Sequence, residues 1–469
     1  MAAGQQDRRI NLAVARCIPP VLFGIIIYAC YAITKTLCID YLIHPTSEYT
    51  RPSRVGTGAA IIAVFYILLL FVIVTYFRLL DKVVWNPDLL PQPSVPAPEQ
   101  QTTGPTTRHS QDRPRRKRKG RRKTKQSEIS DKPEVDVERA LDYNAAPMML
   151  PWDTTGLESF YKKDVFVSQP DGRPIYCSKC CHYKPDRTHH CREVDRCVRK
   201  MDHFCPWVGG VVSETSFKFF IQFVFYTAVL CAYILIVCAI FTAELRRDIG
   251  DVNPHWAIGI GLSGFFGIFT FGMTLSSLQL AMYNLSTIEN LSRRSVVWTL
   301  AIRVPSHVLS RLQPGSRWAP TFRTITYPLP PMPPPPPPMP AYPAAEGYQA
   351  PPPPPLPPAL PLSTANGEQH VFAILQTLPG ENPFDLGSPL KNLQQVLGFS
   401  IIDWFLPFKH SPCADHSSLE SESALGPVVS RLKREAGLES TPPAQSNEPA
   451  PTDHRPKRKR RRREHRRPE

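Results

Sequence analysis

The chain has 469 residues, with 53 prolines, a formal net charge of +15 and 42% hydrophobic residues. These averages exclude a single compact globule, because the apolar residues sit in a few dense blocks while the charges and prolines sit elsewhere. Twelve cysteines spread over a chain this long also exclude a small secreted disulfide scaffold, and a tight cysteine–histidine cluster points instead to metal binding or catalysis.

Residues 1–16 form a polar, basic N-terminal segment with Arg8, Arg9 and Arg16. The apolar block 17–36 follows. Pro19 and Pro20 interrupt its start, and no A-x-A-like cleavage site follows it, so it reads as a signal anchor rather than a removed signal peptide. Three further blocks, at 58–77, 219–243 and 257–283, each approach the ~20 apolar residues a bilayer-spanning helix needs. Such lengths without charges argue against buried core helices. The segments 37–57 and 244–256 are then short loops. Lys and Arg concentrate in 78–218 and after 284, including Arg78, Lys82, Lys218, Arg293 and Arg294 beside the spans. The positive-inside rule therefore places both termini and the central segment in the cytosol.

Between the second and third spans, residues 90–135 are rich in Pro, Gln, Ser, Thr and basic residues and read as a disordered linker. Its basic run at 113–125 suits lipid headgroups or plain solubility, since it lacks the interleaved aromatics of a nucleic-acid patch. Residues 150–218 read as a small folded module. After the fourth span come a post-membrane segment, 284–302, and a Pro-rich low-complexity region, 303–366. The latter holds two tracts, 330–340 and 351–361, that favour polyproline II and act as a spacer or as an SH3/WW-type ligand, of which spacer is preferred. Order is expected to resume over 370–408, around Asn382-Pro383-Phe384-Asp385 and the apolar stretch 396–408. Residues 409–469 read as a disordered basic tail.

The chemistry is concentrated in the module. Cys177 and Cys180 form a C-x2-C knuckle, followed by His190 and Cys197. Three thiolates and an imidazole are the ligands that tetrahedral zinc prefers. The competing reading, ordinary buried cysteines, needs a core that this short polar stretch cannot supply. Next comes Asp202-His203-Phe204-Cys205-Pro206-Trp207. Pro206 biases Cys205 toward an extended conformation, and alternation along an extended chain puts His203 and Cys205 on one side. Histidine beside cysteine is the base–nucleophile pairing, and a thiol with pKa of about 8.5 needs such a base at neutral pH. Asp202 would orient the imidazole, but alternation points it away, so a bend is required. From this string alone the pair is a weak signal.

These residues resemble the cysteine-rich module of DHHC-type protein S-palmitoyltransferases. The likeness covers Cys177 and Cys180, Lys184-Pro185-Asp186-Arg187, His190-Cys191, Cys197 and the Asp202 to Trp207 string. Asn86-Pro87-Asp88 is similar to the family's Asp-Pro-Gly element, altered at both ends. Ser286-Thr287-Ile288-Glu289 is similar to its Thr-Thr-x-Glu element, and Asn382-Pro383-Phe384-Asp385 with the segment from Asn392 to Pro407 is similar to its C-terminal part. The resemblance implies a polytopic α-helical membrane enzyme with four transmembrane helices, a small cytosolic zinc-binding cysteine-rich module and disordered tails. It implies palmitoyl-CoA as acyl donor, Cys205 as the autoacylated nucleophile, His203 as base and Asp202 as its orienter. Zinc would sit on Cys177, Cys180, His190 and Cys197. The acyl chain would lie among the helices, and the partners would be the bilayer and cysteine-containing membrane-associated proteins, with no nucleic acid.

The family's second zinc would use positions 191, 194, 204 and 211, which are here Cys191, Val194, Phe204 and Val211. Three ligands are replaced by apolar residues, so a small hydrophobic core is expected in place of the ion, and one zinc per chain. A rebuilt site using Cys181 or His189 with Cys191 is the alternative. The aromatic at 204 and the long Pro-rich tail suit a divergent fungal branch. Two rivals remain at this point: an inactive membrane scaffold keeping one structural zinc, and a membrane-tethered zinc knuckle binding nucleic acid. Retention of Asp202, His203 and Cys205 together argues against the first, and four spans argue against the second.

Overall fold

A computed structural model describes residues 2–46, 52–91, 157–312, 320–328 and 369–439. The basic run at 113–125, both proline tracts and the final basic stretch lie outside the described residues.

Among the described residues, four helices are long and apolar enough to cross a membrane: Arg8–Ile43, Val55–Trp85, Phe217–Asp248 and Pro254–Met282. The first three overrun the blocks read from hydropathy at both ends and the fourth, read as 257–283, only at its start, because polar residues at the ends continue the helical hydrogen bonding beyond the apolar core. The first helix, α1 (Ala2–Cys30), widens into π-type pairing over Tyr31–Ile43. It runs through Pro19 and Pro20 rather than starting after them. Pro19 has no N–H for the Ala15 carbonyl, and that oxygen lies against Gly209 instead, 3.4 Å from where a Cβ would stand. Helix α2 (Val55–Leu80) extends through a π turn to Trp85. Helices α3 (Phe217–Asp248) and α4 (Pro254–Met282) form an antiparallel pair. Leu37, Tyr41, Phe65, Cys238 and Trp256 are fully buried in the core between the helices.

Among the described residues between α2 and α3 are three two-stranded hairpins: β2 (Tyr176–Cys177) with β3 (His182–Tyr183), β4 (His189–Cys191) with β5 (Arg196–Val198), and β6 (His203–Cys205) with β7 (Gly210–Val212). Strands this short carry little stability of their own, which fits a module held by side-chain chemistry. A four-stranded antiparallel sheet packs beside it in the order β1 (Val165–Val167), β8 (Thr299–Arg303), β10 (His370–Gln376), β9 (Arg323–Tyr327). Its register pairs Val165 with Ile302, Ala373 with Ile302 on the other edge, and Phe372 with Ile325.

Two expectations from composition are corrected here. The region 303–366 is not low-complexity throughout, since it supplies β9. Residues 409–439 are not part of a disordered tail. They carry a helix, Pro427–Glu435, whose Val429 and Leu432 are buried with Leu300, Ile302 and Phe384 behind the sheet. Charged neighbours hid that i, i+3 apolar stripe. Gly426 leads into this helix so close to Asp385 that a Cβ would stand 1.8 Å from its carbonyl oxygen, so only glycine fits.

Candidate active site and metal centre

Cys177 ends β2 and Cys180 lies in the turn that follows, where Cys181 takes a left-handed conformation (φ 54°). His190 and Cys197 stand directly opposite each other on β4 and β5. Their four ligand atoms all lie within 4.8 Å of one another. His190 Nδ1 is 3.3 Å from Cys180 Sγ and 3.7 Å from Cys177 Sγ. Tetrahedral bonds of ~2.0–2.3 Å to nitrogen and sulfur give ligand–ligand edges of roughly 3.3–3.8 Å, so the set fits one metal ion. The other imidazole nitrogen, Nε2, faces Asp195 Oδ1 at 3.3 Å, without hydrogen-bond alignment. Leu90, just after the Asn86-Pro87-Asp88 turn, packs on Cys177, Cys180 and Cys197 and donates its N–H to the Cys197 carbonyl.

No second group of ligand geometry occurs among the described residues, and neither Cys181 nor His189 joins Cys191 in one. Cys191, Val198, Met201 and Val211 instead form a buried apolar cluster, with Val194, Phe204, Leu89 and Ile288 packed against it. Phe204 stands opposite Val211 across β6–β7. Burial pushes the Cys191 thiol up to about 11, so it behaves there as a small neutral hydrophobe.

The β6–β7 hairpin carries His203 and Cys205. Cys205 is extended (φ −116°, ψ 108°), as the following proline demands, and a one-turn helix Pro206–Val208 ends on left-handed Gly209 (φ 77°). Gly210 then passes against α2's extension: a Cβ there would meet Val83 Cγ1 at 2.8 Å. Cys205 is buried in a core that includes Leu79, Val208, Phe220 and Leu280. Asp202, which alternation turned away from His203, comes back to it. Its Oδ2 accepts from His203 Nδ1 at 2.6 Å. The bend has a cause outside the strand, because Thr287 donates its backbone N–H to Asp202 Oδ1 and its hydroxyl to Oδ2, both at 2.8 Å. With Nδ1 committed to a carboxylate, Nε2 is the nitrogen left for Cys205. Burial works to depress the His203 pKa, but the hydrogen bonds to Asp202 and Cys205 outweigh it and raise it to about 9.

Thr287 opens a short helix, α5 (Thr287–Leu291), capped reciprocally by Ser286 and Glu289. The Glu289 carboxylate also takes a two-pronged ion pair from Arg187, at 2.7 and 2.6 Å, in a fully buried setting. Arg187 further bonds the Asn284 side chain and carbonyl, and Lys200 reaches the same Asn284 oxygen. Asn284 in turn donates to the Phe384 carbonyl. Burial disfavours the Glu289 charge, yet Arg187 holds the carboxyl below its usual range. The module, the end of α4 and the Asn382-Pro383-Phe384-Asp385 turn are thus tied at one point. Thr287 as the grip on Asp202, and Arg187 with Glu289 as its foundation, were not assigned these roles from sequence. The S-x-x-E capping box at Ser286 to Glu289 is the local signal that marks Thr287 and Glu289; no local signal links Arg187 to them.

Beside Trp207, two residues beyond Cys205, lies an open apolar groove of about 470 Å³. Val14, Cys17, Val21 and Ile25 of α1 form one wall, with Trp207 and Phe266 of α4 opposite.

Residues 171–294 match the family described as DHHC palmitoyltransferase. The chain is 67% identical over 439 residues to palmitoyltransferase pfa5 of Emericella nidulans, covering 93% of this chain and 89% of that protein. It is 58% identical over 468 residues to palmitoyltransferase pfa5 of Aspergillus fumigatus, covering 100% of both. Palmitoyltransferase ZDHHC7 of Mus musculus is 49% identical over 143 residues, 28% of this chain and 46% of that protein.

Proposed function

From the premise that the chain belongs to the DHHC palmitoyltransferase family and is a multi-pass membrane protein S-palmitoyltransferase, we propose that Cys205 is its acyl carrier, with His203 as base and Asp202 as orienter. What carries this reading is the relay from Thr287 through Asp202 to His203 beside a buried Cys205.

The acyl donor on this reading is palmitoyl-CoA. His203 accepts the Cys205 proton at Nε2, and the imidazolium, stabilised by Asp202, favours the neighbouring thiolate. The thiolate attacks the thioester carbonyl, forming the new C–S bond as the bond to coenzyme A breaks. The departing coenzyme A thiolate takes the proton back from His203. In the second half, a substrate cysteine gives its proton to His203 and attacks the Cys205 thioester; the new C–S bond forms as the bond to Cys205 breaks, and the departing Cys205 thiolate takes the proton back from His203. The groove beside Trp207 is apolar and adjacent, so the acyl tail stays out of water while coenzyme A remains in it.

Cys177, Cys180, His190 and Cys197 would hold zinc, whose contribution there is to fold the module rather than to react. The basic residues at the span ends support a cytosolic side for this module and both termini. Substrates are then proteins presenting a cysteine at that membrane face.

The test is labelling of the purified full chain with an alkyne analogue of palmitoyl-CoA. Cys205→Ala should lose the hydroxylamine-sensitive label with unchanged metal content and unfolding midpoint. A label retained in Cys205→Ala overturns the assignment.

A further inference from the structure

Lys218 is the second residue of α3, and its side chain is fully buried, with no acceptor for its ammonium among the described residues. A buried charge without a partner costs several kcal/mol, and the unsatisfied N–H groups at a helix start add positive field around it. The charged groups facing it are Asp403, Lys409 and Arg78. The Asp403 carboxylate turns to Lys409 Nζ, 3.3 Å away. Arg78 donates Nε and Nη2 to the carbonyls of Pro407 and Phe408, which leaves Nη1. Further out, Lys82 lies 3.5 Å from Asp81. His410 is held below its ordinary value by burial and by Lys82 and Arg78. Four basic side chains, Arg78, Lys82, Lys218 and Lys409, face two carboxylates, Asp81 and Asp403, an excess of two positive charges when all are ionised. Burial disfavours the charged form of Lys218, and an anion beside it would restore the charge.

The setting is the membrane boundary. Gln222 and Tyr226 of α3 bind the carbonyls of Asp403, Trp404 and Phe405. That anchors residues 399–408 against the start of the span, while Phe399, Ile401, Ile402 and Phe408 stay 65–72% exposed. An apolar fringe around a buried cation matches a molecule with an anionic head and hydrocarbon tails, and a soluble anion has no use for the fringe.

We propose that Lys218 is the floor of a site for the headgroup phosphate of an anionic phospholipid. The phosphate sits between the start of α3 and residues 399–410, in contact with Lys218, Lys409 and Arg78. Lys409, 72% exposed at its side chain, is the mobile cover, and the phosphate competes with Asp403 for it. The site needs only that the start of α3 lie at the membrane surface, and it does not depend on the role of Cys205.

The test uses the full chain in nanodiscs of phosphatidylcholine alone or mixed with phosphatidylserine, read by thermal unfolding and by native mass spectrometry of retained lipid. Phosphatidylserine should raise the wild-type midpoint and stay bound. Lys218→Met should lose both effects and, with the buried charge gone, be at least as stable as wild type in phosphatidylcholine. Lys409→Gln, a change on an exposed side chain, should weaken retention and keeps the test open should Lys218→Met fail to fold. An equal phosphatidylserine increment in wild type and both variants overturns the site, leaving scattered surface charge or a bridging water. Inorganic phosphate or coenzyme A reproducing the increment in phosphatidylcholine nanodiscs overturns the lipid as its occupant.

Discussion

Thr287 grips Asp202 at both carboxylate oxygens, one through its backbone N–H and one through its hydroxyl, each at 2.8 Å. The two residues are 85 positions apart in the chain, with two membrane spans between them in sequence. The grip fixes which way Asp202 points, and so which nitrogen of His203 is free. Thr287→Val removes the hydroxyl bond and keeps the shape. A hydrogen bond to a charged group is worth ~1.5–3 kcal/mol, so autoacylation should slow by about tenfold or more. Thr287→Ser should restore most of the rate. A Thr287→Val rate at the wild-type level would show that the backbone bond alone positions Asp202.

The same relay makes stability depend on pH. His203 is raised in the folded protein to about 9 from 6.5. A raised pKa contributes stability that is fully present below the unfolded value and is lost as pH climbs through the folded one. The shift corresponds to ~3 kcal/mol at most. Wild type should therefore exceed Asp202→Asn in stability by the most near pH ~6, and the gap should close toward pH ~9. Chemical denaturation of both proteins across that range checks it, and a constant gap would mean that Asp202 acts only through packing.

Much of this architecture was legible in the sequence because its signals are local. An unbroken apolar run announces a span, and Cys177, Cys180, His190 and Cys197 announce their chemistry through spacing. What stayed hidden is pairing over distance. The sheet draws β1, β8, β9 and β10 from segments separated by two spans and by the proline tracts, and β9 is five residues in a stretch whose composition is dominated by proline. Nothing near Asp202 indicates that Thr287 will bend it toward His203. Arg187 and Glu289 belong to two separate motifs, and nothing in the sequence pairs them until the fold buries them together. Residues 409–439 misled for the opposite reason, since a charged surface face masked the buried stripe of Val429 and Leu432.

That buried pair yields its own prediction. Glu289→Gln strips the charge that balances Arg187 while keeping the shape, and breaking a buried pair in this way typically costs ~3–5 kcal/mol. Because Glu289 also closes the cap that presents Thr287, autoacylation should fall along with the unfolding midpoint. A stable Glu289→Gln protein with normal rates would mean that Asn284 satisfies Arg187 unaided.

Metal analysis of the purified chain should find about one zinc, because one four-ligand set is complete and the other positions are apolar. His190→Ala and Cys197→Ala should each lower both zinc content and the folded fraction, and a strong chelator should unfold the module. Two zincs per chain, measured reproducibly, would contradict the apolar-cluster account.

Phe204 tests that account from the other side. It stands opposite Val211 and packs with Val194 on the cluster around Cys191, at the positions where metal ligands would otherwise tie the Cys205 hairpin to its neighbour. If apolar contact does here what an ion does elsewhere, Phe204 must be costly to remove. Complete burial would put Phe204→Ala at ~3–5 kcal/mol. The side chain is only partly buried, so about 2 kcal/mol is the expectation. Stability and autoacylation should fall together, since Cys205 is the next residue on the same strand. Phe204→His should be nearly as damaging, because an imidazole among valines finds no partner for its polar nitrogens. Phe204→Leu keeps the apolar contact and should retain most of both properties. The pattern across the three variants decides the matter: if histidine is tolerated as well as leucine, the position is a wetted surface and the cluster does not replace an ion.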